Sequence, residues 1–543
     1  MDISQPKTDI GIYEDDVKAT LARLVDANII QRIWQKDHTV WKLEPTEITN
    51  RLGWLAVTNL MGEQAPMLQS FARDVRDAGF RHVVLLGMGG SSLGAEVLGR
   101  VFGSGNQYPE LIVLDSTLPE AVQAVAEAIN PALTLFLVSS KSGTTTEPLI
   151  LYAYFSDLLE KAAGKEKVGH NFIAITDAGT PLATLAQQER FRHTFLNPPD
   201  IGGRYSVLSY FGLVPAALIG IDITTMLQQA NRMRETCGPQ VPAHENSGLW
   251  LGACMGTLAL KGHDKLTLVT SPSIGTFGLW IEQLIAESTG KDGKGIIPVA
   301  NEPLMQPIYY GNDRLFVYLR VEGDQNQVTD TTIGRLISSR HPVIVLEMRN
   351  KYDMGAEFFR WEFATAVAGA ILCVNPFDQP NVQKAKDTTD RLLREYSVSG
   401  RLPKLEATGS LAYLMKIAGK GKYLAIMAYL HQTPEMDEAL TELRREVGER
   451  YHIATTLGYG PRFLHSTGQL YKGGQNTGLF LQLTVNHEKD LPIPGKPYTF
   501  GTVADAQALG DFQSLQAAGR QVIRVQIPRS EVSVIKRLIA QIE

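Results

Sequence analysis

Cysteine is almost absent from this sequence, with three in 543 residues: Cys237, Cys254 and Cys373. Their spacing matches no zinc pattern, and they read as small core hydrophobes in a reducing compartment. Long apolar runs are missing as well. The most apolar stretch, residues 207–221, is interrupted by Gly212, Pro215 and Gly220 and falls short of the ~20 residues that a membrane-spanning helix requires. Basic charge is not in excess, since 52 Lys and Arg stand against 57 Asp and Glu, a net charge of −5. That balance argues against the basic face on which nucleic-acid binding depends. A small anionic substrate must then be held by local groups rather than by a global field. The opening MDISQPKTDIGIYEDD is polar and acidic and lacks the pattern of a secretory signal. Low-complexity segments and short internal repeats are absent. The expectation is a cytoplasmic protein with neither a membrane nor a nucleic acid as partner.

What is present is the composition of a globular chain, 44% hydrophobic and 20% charged, long enough for two to four domains. Apolar residues recur at helical spacing over residues 15–30 and 60–77. The texture then changes to short continuous apolar runs at 83–87, 111–115, 135–139 and 172–176, separated by helix-like segments. Runs buried on both faces and alternating with helices are the pattern of a parallel sheet. A second series follows at 266–270, 315–319 and 343–347, with helices around 279–287 and 356–370. The predicted fold class is α/β, with two doubly wound parallel-sheet domains at 50–235 and 236–400. A helical N-terminal segment, 1–49, precedes them, and an α/β C-terminal region, 401–543, follows. That region reads as a mostly helical stretch, then strands at 479–485 and 522–527 and a closing helix at 531–542. Lys386 and Lys404 lie in a charged, proline-containing region suited to a boundary.

Two motifs stand at predicted strand ends. Gly87-Met-Gly-Gly-Ser-Ser-Leu-Gly94 follows the run at 83–86 and leads into a helix. Glycines permit a tight turn and close backbone approach, and a helix N-terminus offers free N–H groups to an anion. A dinucleotide fingerprint is the rival, favoured by Asp115 at the end of the next strand, but Ser92 stands where the third glycine belongs. The second motif, Ser139-Ser-Lys-Ser-Gly-Thr-Thr-Thr-Glu147, places six hydroxyl side chains and one lysine in nine residues. Hydroxyls and backbone amides at such a turn can surround a phosphate with directed donors. A P-loop is excluded, because no Gly-Lys-Ser/Thr occurs there.

This pair of motifs resembles the sugar isomerase (SIS) domain, and in particular the phosphoglucose isomerase family. Further landmarks of that family occur in order: Gly202-Gly-Arg-Tyr-Ser206, Glu282-Gln-Leu-Ile-Ala-Glu-Ser-Thr-Gly-Lys291, and Asn375-Pro-Phe-Asp-Gln379 followed by Lys386. Together with PRFLHSTGQLYKGG and LPIPG nearer the C-terminus, the texture is most similar to the isomerase half of bifunctional transaldolase–phosphoglucose isomerases. Only 82 residues precede the first sheet strand, whereas a transaldolase barrel needs at least ~200, so that second activity is not expected. The resemblance implies reversible isomerisation of glucose 6-phosphate to fructose 6-phosphate, in glycolysis and gluconeogenesis, by a homodimer without metal or redox cofactor. A non-catalytic sugar-phosphate sensor, a dinucleotide-dependent oxidoreductase and added activity on mannose 6-phosphate are the alternatives.

Aldose–ketose isomerisation moves a proton between adjacent carbons through an enediol. It needs a carboxylate base, a cation for the enediolate and groups that open the sugar ring. The resemblance assigns the base to Glu287, with Gln283 one helical turn before it. Arg204 offers a planar, permanently charged fork for the oxyanion. Lys386, oriented by Gln379, serves the ring oxygen and hydroxyls. Gly90, Ser91, Ser140, Lys141, Ser142 and Thr145 form the phosphate cradle. The family's ring-opening histidine begins a G-Q-H-x-x-x-Q-L stretch between the glutamate and the F-D-Q motif, and comes from the neighbouring subunit. Here that interval holds only His341, without the pattern, while Leu464-His-Ser-Thr-Gly-Gln-Leu470 carries it later. His465 is therefore the expected ring-opening histidine, delivered by a displaced segment of either subunit.

Overall fold

A computed structural model describes residues 6–403, 408–528 and 531–542; Lys404 lies outside them. The apolar runs become strands within one or two residues of their expected bounds, because most are covered on both faces. In the first sheet β2 (His82–Gly87), β3 (Glu110–Leu114), β4 (Thr134–Ser139), β5 (Phe172–Asp177) and β6 (His193–Asn197) are all parallel, in the order β3-β2-β4-β5-β6. The chain moves from β2 to β3 on one side and then to β4 on the other. The crevice between the carboxyl ends of β2 and β4 is thus a topological switch point, where open α/β sheets bind ligands. The glycine-rich turn follows β2 and the hydroxyl-rich turn follows β4.

The second sheet has the order β1-β10-β9-β7-β8, from β1 (Lys7–Asp9), β7 (Lys265–Thr270), β8 (Ile297–Val299), β9 (Arg314–Val321) and β10 (Val343–Met348). All its pairings are parallel except that of β1, an exposed antiparallel edge. The helix Phe277–Thr289 follows β7 and carries Gln283 and Glu287.

The C-terminal region corrects the sequence reading. Where a mostly helical stretch was expected, the chain forms β11 (Tyr423–Tyr429) and β12 (Ala454–Tyr459). With β13 (Gly478–Val485) and β14 (Gln521–Ile527) they make a third, fully parallel sheet of order β12-β11-β13-β14. The β11 sequence, YLAIMAY, is buried at every position. Its two alanines are weak strand formers, so tertiary burial overrides local propensity there. The closing helix is Val532–Ala540.

One hydrophobic core joins the N-terminal helices to facing sides of the first two sheets. Another joins the opposite face of the first sheet to the helices Gln383–Ser399 and Phe500–Ala517, through Leu392, Leu393, Val503 and Leu509. A third knits the C-terminal sheet to Ala286, Ile297 and Val299. The C-terminal region is therefore docked on both preceding sheets. Among the described residues no helix is long and apolar enough to cross a membrane.

Candidate active site

A cavity of about 520 Å³ opens at the switch point of the first sheet. It is lined by eleven of the twelve residues expected from the sequence: Gly90, Ser91, Lys141, Ser142, Thr145, Arg204, Gln283, Glu287, Gln379, Lys386 and His465. Ser140 is the exception. It is buried, its Oγ donates to Thr145 Oγ1 at 3.0 Å, and it accepts from the Gly143 amide at 3.2 Å. Ser140 shapes the turn from within rather than lining the cavity.

The helix Phe277–Thr289 sets Gln283 and Glu287 one turn apart on the same face. Gln283 Nε2 donates to Glu287 Oε2 at 3.1 Å and to the His465 carbonyl at 2.9 Å. One amide thus ties the carboxylate of the second sheet's helix to the segment that carries the histidine. Arg204 is buried in the turn Gly203–Tyr205, with Nε 3.5 Å from Glu287 Oε2. Its Nη1 and Nη2 donate to the carbonyls of Glu287, Pro376, Phe377 and Asp378. Arg204 therefore presents a fixed positive charge, its two terminal nitrogens being committed to the backbone instead of forming a free fork. Lys291 grips the same turn from below, donating to Asn375 O at 2.6 Å and to Asp378 Oδ1 at 2.6 Å. Burial and the neighbouring Arg204 push its ammonium down to about 8. Two buried cations thereby fix the turn from which Gln379 and then Lys386 extend.

Glycine is required at two positions for a reason the sequence did not reveal. A Cβ on Gly89, where φ is +54°, would lie 2.5 Å from the His465 carbonyl, and one on Gly90 would lie 2.1 Å from the Gly203 carbonyl. The glycine-rich turn makes room for protein, letting the histidine and arginine turns close on it.

In the hydroxyl-rich turn, Ser142 Oγ lies 2.9 Å from Thr144 Oγ1. Thr145 caps the helix Thr146–Ala163 without a side-chain capping bond, so the first amides keep their donors for an anion. Lys141 does not act as a free charge, because its Nζ binds Asp177 and the Pro199 carbonyl. Burial holds the Asp177 carboxyl above its usual range despite that lysine. Arg51, also in the lining, pairs with Glu47 at 3.2 Å. Lys386 forms no salt bridge among the described residues and is the lining cation left for a ligand.

His465 enters from the third sheet of the same chain, on the turn Arg462–His465 after β12. Its Nε2 lies 2.9 Å from Glu147 Oε1, which also accepts from Gln507 Nε2 at 2.7 Å. Burial alone would push the Glu147 carboxyl up, but the charge and hydrogen bond of His465, with Lys386 beyond, hold it below the usual range. Glu147 is the principal residue without an expected role. It closes the motif that begins at Ser139, and its place in the first turn of a helix was the available signal. Gln507, 360 residues away, leaves no local signature. His341 lies elsewhere, at the start of β10 against Phe316 and Tyr310. Among the described residues no group of three or more His, Cys, Asp or Glu side chains could hold a metal ion.

Comparison with known proteins shows the family. The sequence pattern of the family "Phosphoglucose isomerase" matches residues 72–312. A protein from Staphylococcus saprophyticus named glucose-6-phosphate isomerase is 31% identical over 401 residues, which is 65% of this chain and 89% of that protein. One of the same name from Clostridium novyi is 30% identical over 405 residues, 66% of this chain and 89% of that one. Among solved structures, a hypothetical protein from Thermus thermophilus superposes with a TM-score of 0.61 at 24% identity, covering 71% of this chain and 99% of that one. A glucose-6-phosphate isomerase from Chlamydia trachomatis gives 0.61 at 18% identity, covering 70% of this chain and 86% of that one. These two show a shared fold. The sequence matches carry more: the chain belongs to the phosphoglucose isomerase family.

Proposed function

We propose that the protein is a cytoplasmic glucose-6-phosphate isomerase, interconverting glucose 6-phosphate and fructose 6-phosphate through a cis-enediol intermediate. The observation that carries the reading is the single amide, Gln283 Nε2, bonded to both Glu287 and the backbone of His465. In this reading the base and the ring-opening histidine meet at one cavity, which the immobilised Arg204 also lines.

In this reading the phosphate rests against Ser91, Ser142, Thr145 and the uncapped amides that follow Thr145. Binding energy from this remote group orients the reacting carbons. His465, with Nε2 engaged by Glu147, uses Nδ1 to move the ring-oxygen proton while Lys386 serves the adjacent hydroxyls. Once the chain is open, Glu287 takes the proton from C2 and returns it to C1. The Arg204 charge, immobilised by four carbonyls, stabilises the enediolate without reorganising. No electrons leave the substrate. The resemblance implies a homodimer; in this reading each of the groups named above comes from one polypeptide.

The test is a coupled assay for glucose 6-phosphate formed from fructose 6-phosphate, with EDTA present. Glu287→Gln keeps the shape of the side chain and removes the base, and should lower turnover by about 10²–10⁴-fold while sugar-phosphate binding persists. Turnover within a few-fold of wild type would mean that another carboxylate is the base. A wild-type protein that binds the sugar phosphates without converting them would favour the sensor. Conversion of mannose 6-phosphate in the same assay would widen the substrate range.

A further inference from the structure

His465 has to meet a ring oxygen from a segment that belongs to the third sheet, so something must hold that segment against the first. Arg462 opens the single turn that His465 closes, and its side chain crosses to the first sheet. Arg462 Nη2 donates to Asp115 Oδ1 at 2.8 Å, and Nε stands 2.7 Å from Asp115 Oδ2 as an ion-pair contact. Glu96 Oε1 stands 3.8 Å from the same guanidinium, and all three side chains are largely buried. Asp115 directly follows β3, Glu96 lies on the helix Leu93–Phe102, and Ser92 Oγ donates to Asp115 Oδ2 at 3.4 Å. The clamp thus fastens the histidine turn to the end of the glycine-rich turn that borders the cavity. It also explains Asp115, which a dinucleotide site would have used for a ribose hydroxyl.

On the far side of His465, Gln469 performs the matching task. Its Nε2 donates to Gly290 O at 2.9 Å, and its Oε1 accepts from the Asn381 amide at 2.9 Å. The segment 462–469 is therefore stapled at one end to the first sheet and at the other to the second.

We propose that Arg462, anchored by Asp115, is a positioning residue for ring opening: the clamp sets His465 at the ring oxygen and has no part in proton transfer between carbons. This rests on the isomerase reading. The guanidinium never reaches the substrate. Its role is to fix, over one 3-10 turn, where the imidazole stands.

Ring opening and closing alone interconverts the anomers of glucose 6-phosphate, so anomerisation followed by NMR exchange isolates that step. Arg462→Met should slow enzyme-catalysed anomerisation by about 10–100-fold, the scale of a sub-ångström to ångström misplacement, with KM little changed. Arg462→Lys, which keeps the charge and one contact, should recover most of the rate. In a His465→Ala background, Arg462→Met should cost nothing more, because the imidazole it positions is gone. Loss of the same size in both backgrounds, or a wild-type rate in Arg462→Met, overturns the proposal. Should Arg462→Met fail to fold by circular dichroism, Asp115→Asn carries the same expectation and the same refutation. If wild type and His465→Ala anomerise equally, it is the assignment of His465 that fails.

Discussion

Replacing Glu147 by glutamine tests the part of the site that local sequence could not assign. The carboxylate accepts from His465 Nε2 at 2.9 Å and from Gln507 Nε2 at 2.7 Å through one oxygen. Glutamine keeps the volume and retains one carbonyl acceptor, so the helix Thr146–Ala163 and the turn before it should stand. What disappears is the negative charge against the imidazole. A hydrogen bond to a charged group contributes ~1.5–3 kcal/mol, and at ~1.4 kcal/mol per tenfold that is a loss of about 10–150-fold in a step that uses protonated His465. Anomerisation of glucose 6-phosphate should fall by this factor, while deuterium wash-in at C2 per turnover, which reports on Glu287, stays at the wild-type ratio. Stability supplies a second readout. Because the Glu147 carboxyl is held below its usual value in the folded protein, the pairing stabilises the fold above the unfolded pKa. That contribution is lost as pH falls through the lower, folded value. The variant should therefore match the wild type at strongly acidic pH and fall behind it towards neutrality. Anomerisation within threefold of wild type in Glu147→Gln, with His465→Ala impaired, would refute the reasoning.

Two further outcomes follow from the same geometry. Ser142→Ala with Thr145→Ala should weaken binding of phosphorylated ligands by a few kcal/mol, at about 1 kcal/mol or somewhat more per hydrogen bond to a charged group. Inorganic phosphate should compete in the wild type, and no inhibition at tens of millimolar would remove the cradle from this turn. Glu282 offers a stability test outside the chemistry: burial raises its carboxyl to about 8, against the opposing charge of Arg444. The folded state then holds a proton that the unfolded chain releases, so wild-type stability falls by ~1.4 kcal/mol per pH unit between the two pKa values. In urea unfolding, the advantage of Glu282→Gln over wild type should widen from pH 5 to pH 8 and then level off. A gap independent of pH would show that Glu282 titrates normally.

The first two sheets were legible because most of their strands are covered on both faces and read as continuous apolar runs flanked by turn residues. β4, buried at all six positions, is the clearest case. The edge strand β1 and the three-residue β8 carried too little pattern to be seen, and β11 was disguised by its two alanines. The cavity lining was legible where it sits in a contiguous turn, as at Ser142 and Thr145, or on one helical face, as at Gln283 and Glu287. Ser140 shows the limit of that reasoning: within one motif, backbone direction decides which hydroxyls line a cavity, and composition does not record it. Arg204 shows another. Its charge was legible, but the carbonyls of residues 376–378 that occupy its terminal nitrogens arrive from more than 170 residues away. Contacts of that separation form only when the sheets dock.

In the proposed mechanism, the docking of the third sheet is what lets a displaced histidine be used. A ring-opening group must be fixed relative to both the phosphate cradle and the base, which lie on different sheets. His465 meets that requirement through side chains around it: Arg462 to Asp115 and Gln469 to Gly290 and Asn381, with Glu147 and Gln507 at the imidazole itself. The buried pair Lys472 and Asp511, 2.6 Å apart, then joins the helix Gly468–Gly473 to the helix Phe500–Ala517 that supplies Gln507. Removing one partner of such a buried pair typically costs 3–5 kcal/mol, so the histidine turn and its glutamine support are held as a unit. In that mechanism proton transfer at Glu287 depends on the helix Phe277–Thr289 and on the Arg204 turn, both packed with the first two sheets. Ring opening, as proposed, depends on the C-terminal sheet as well. The two proposed steps therefore rest on different parts of the fold. The Gln283 amide, shared between Glu287 and the His465 carbonyl, is a direct mechanical link between them.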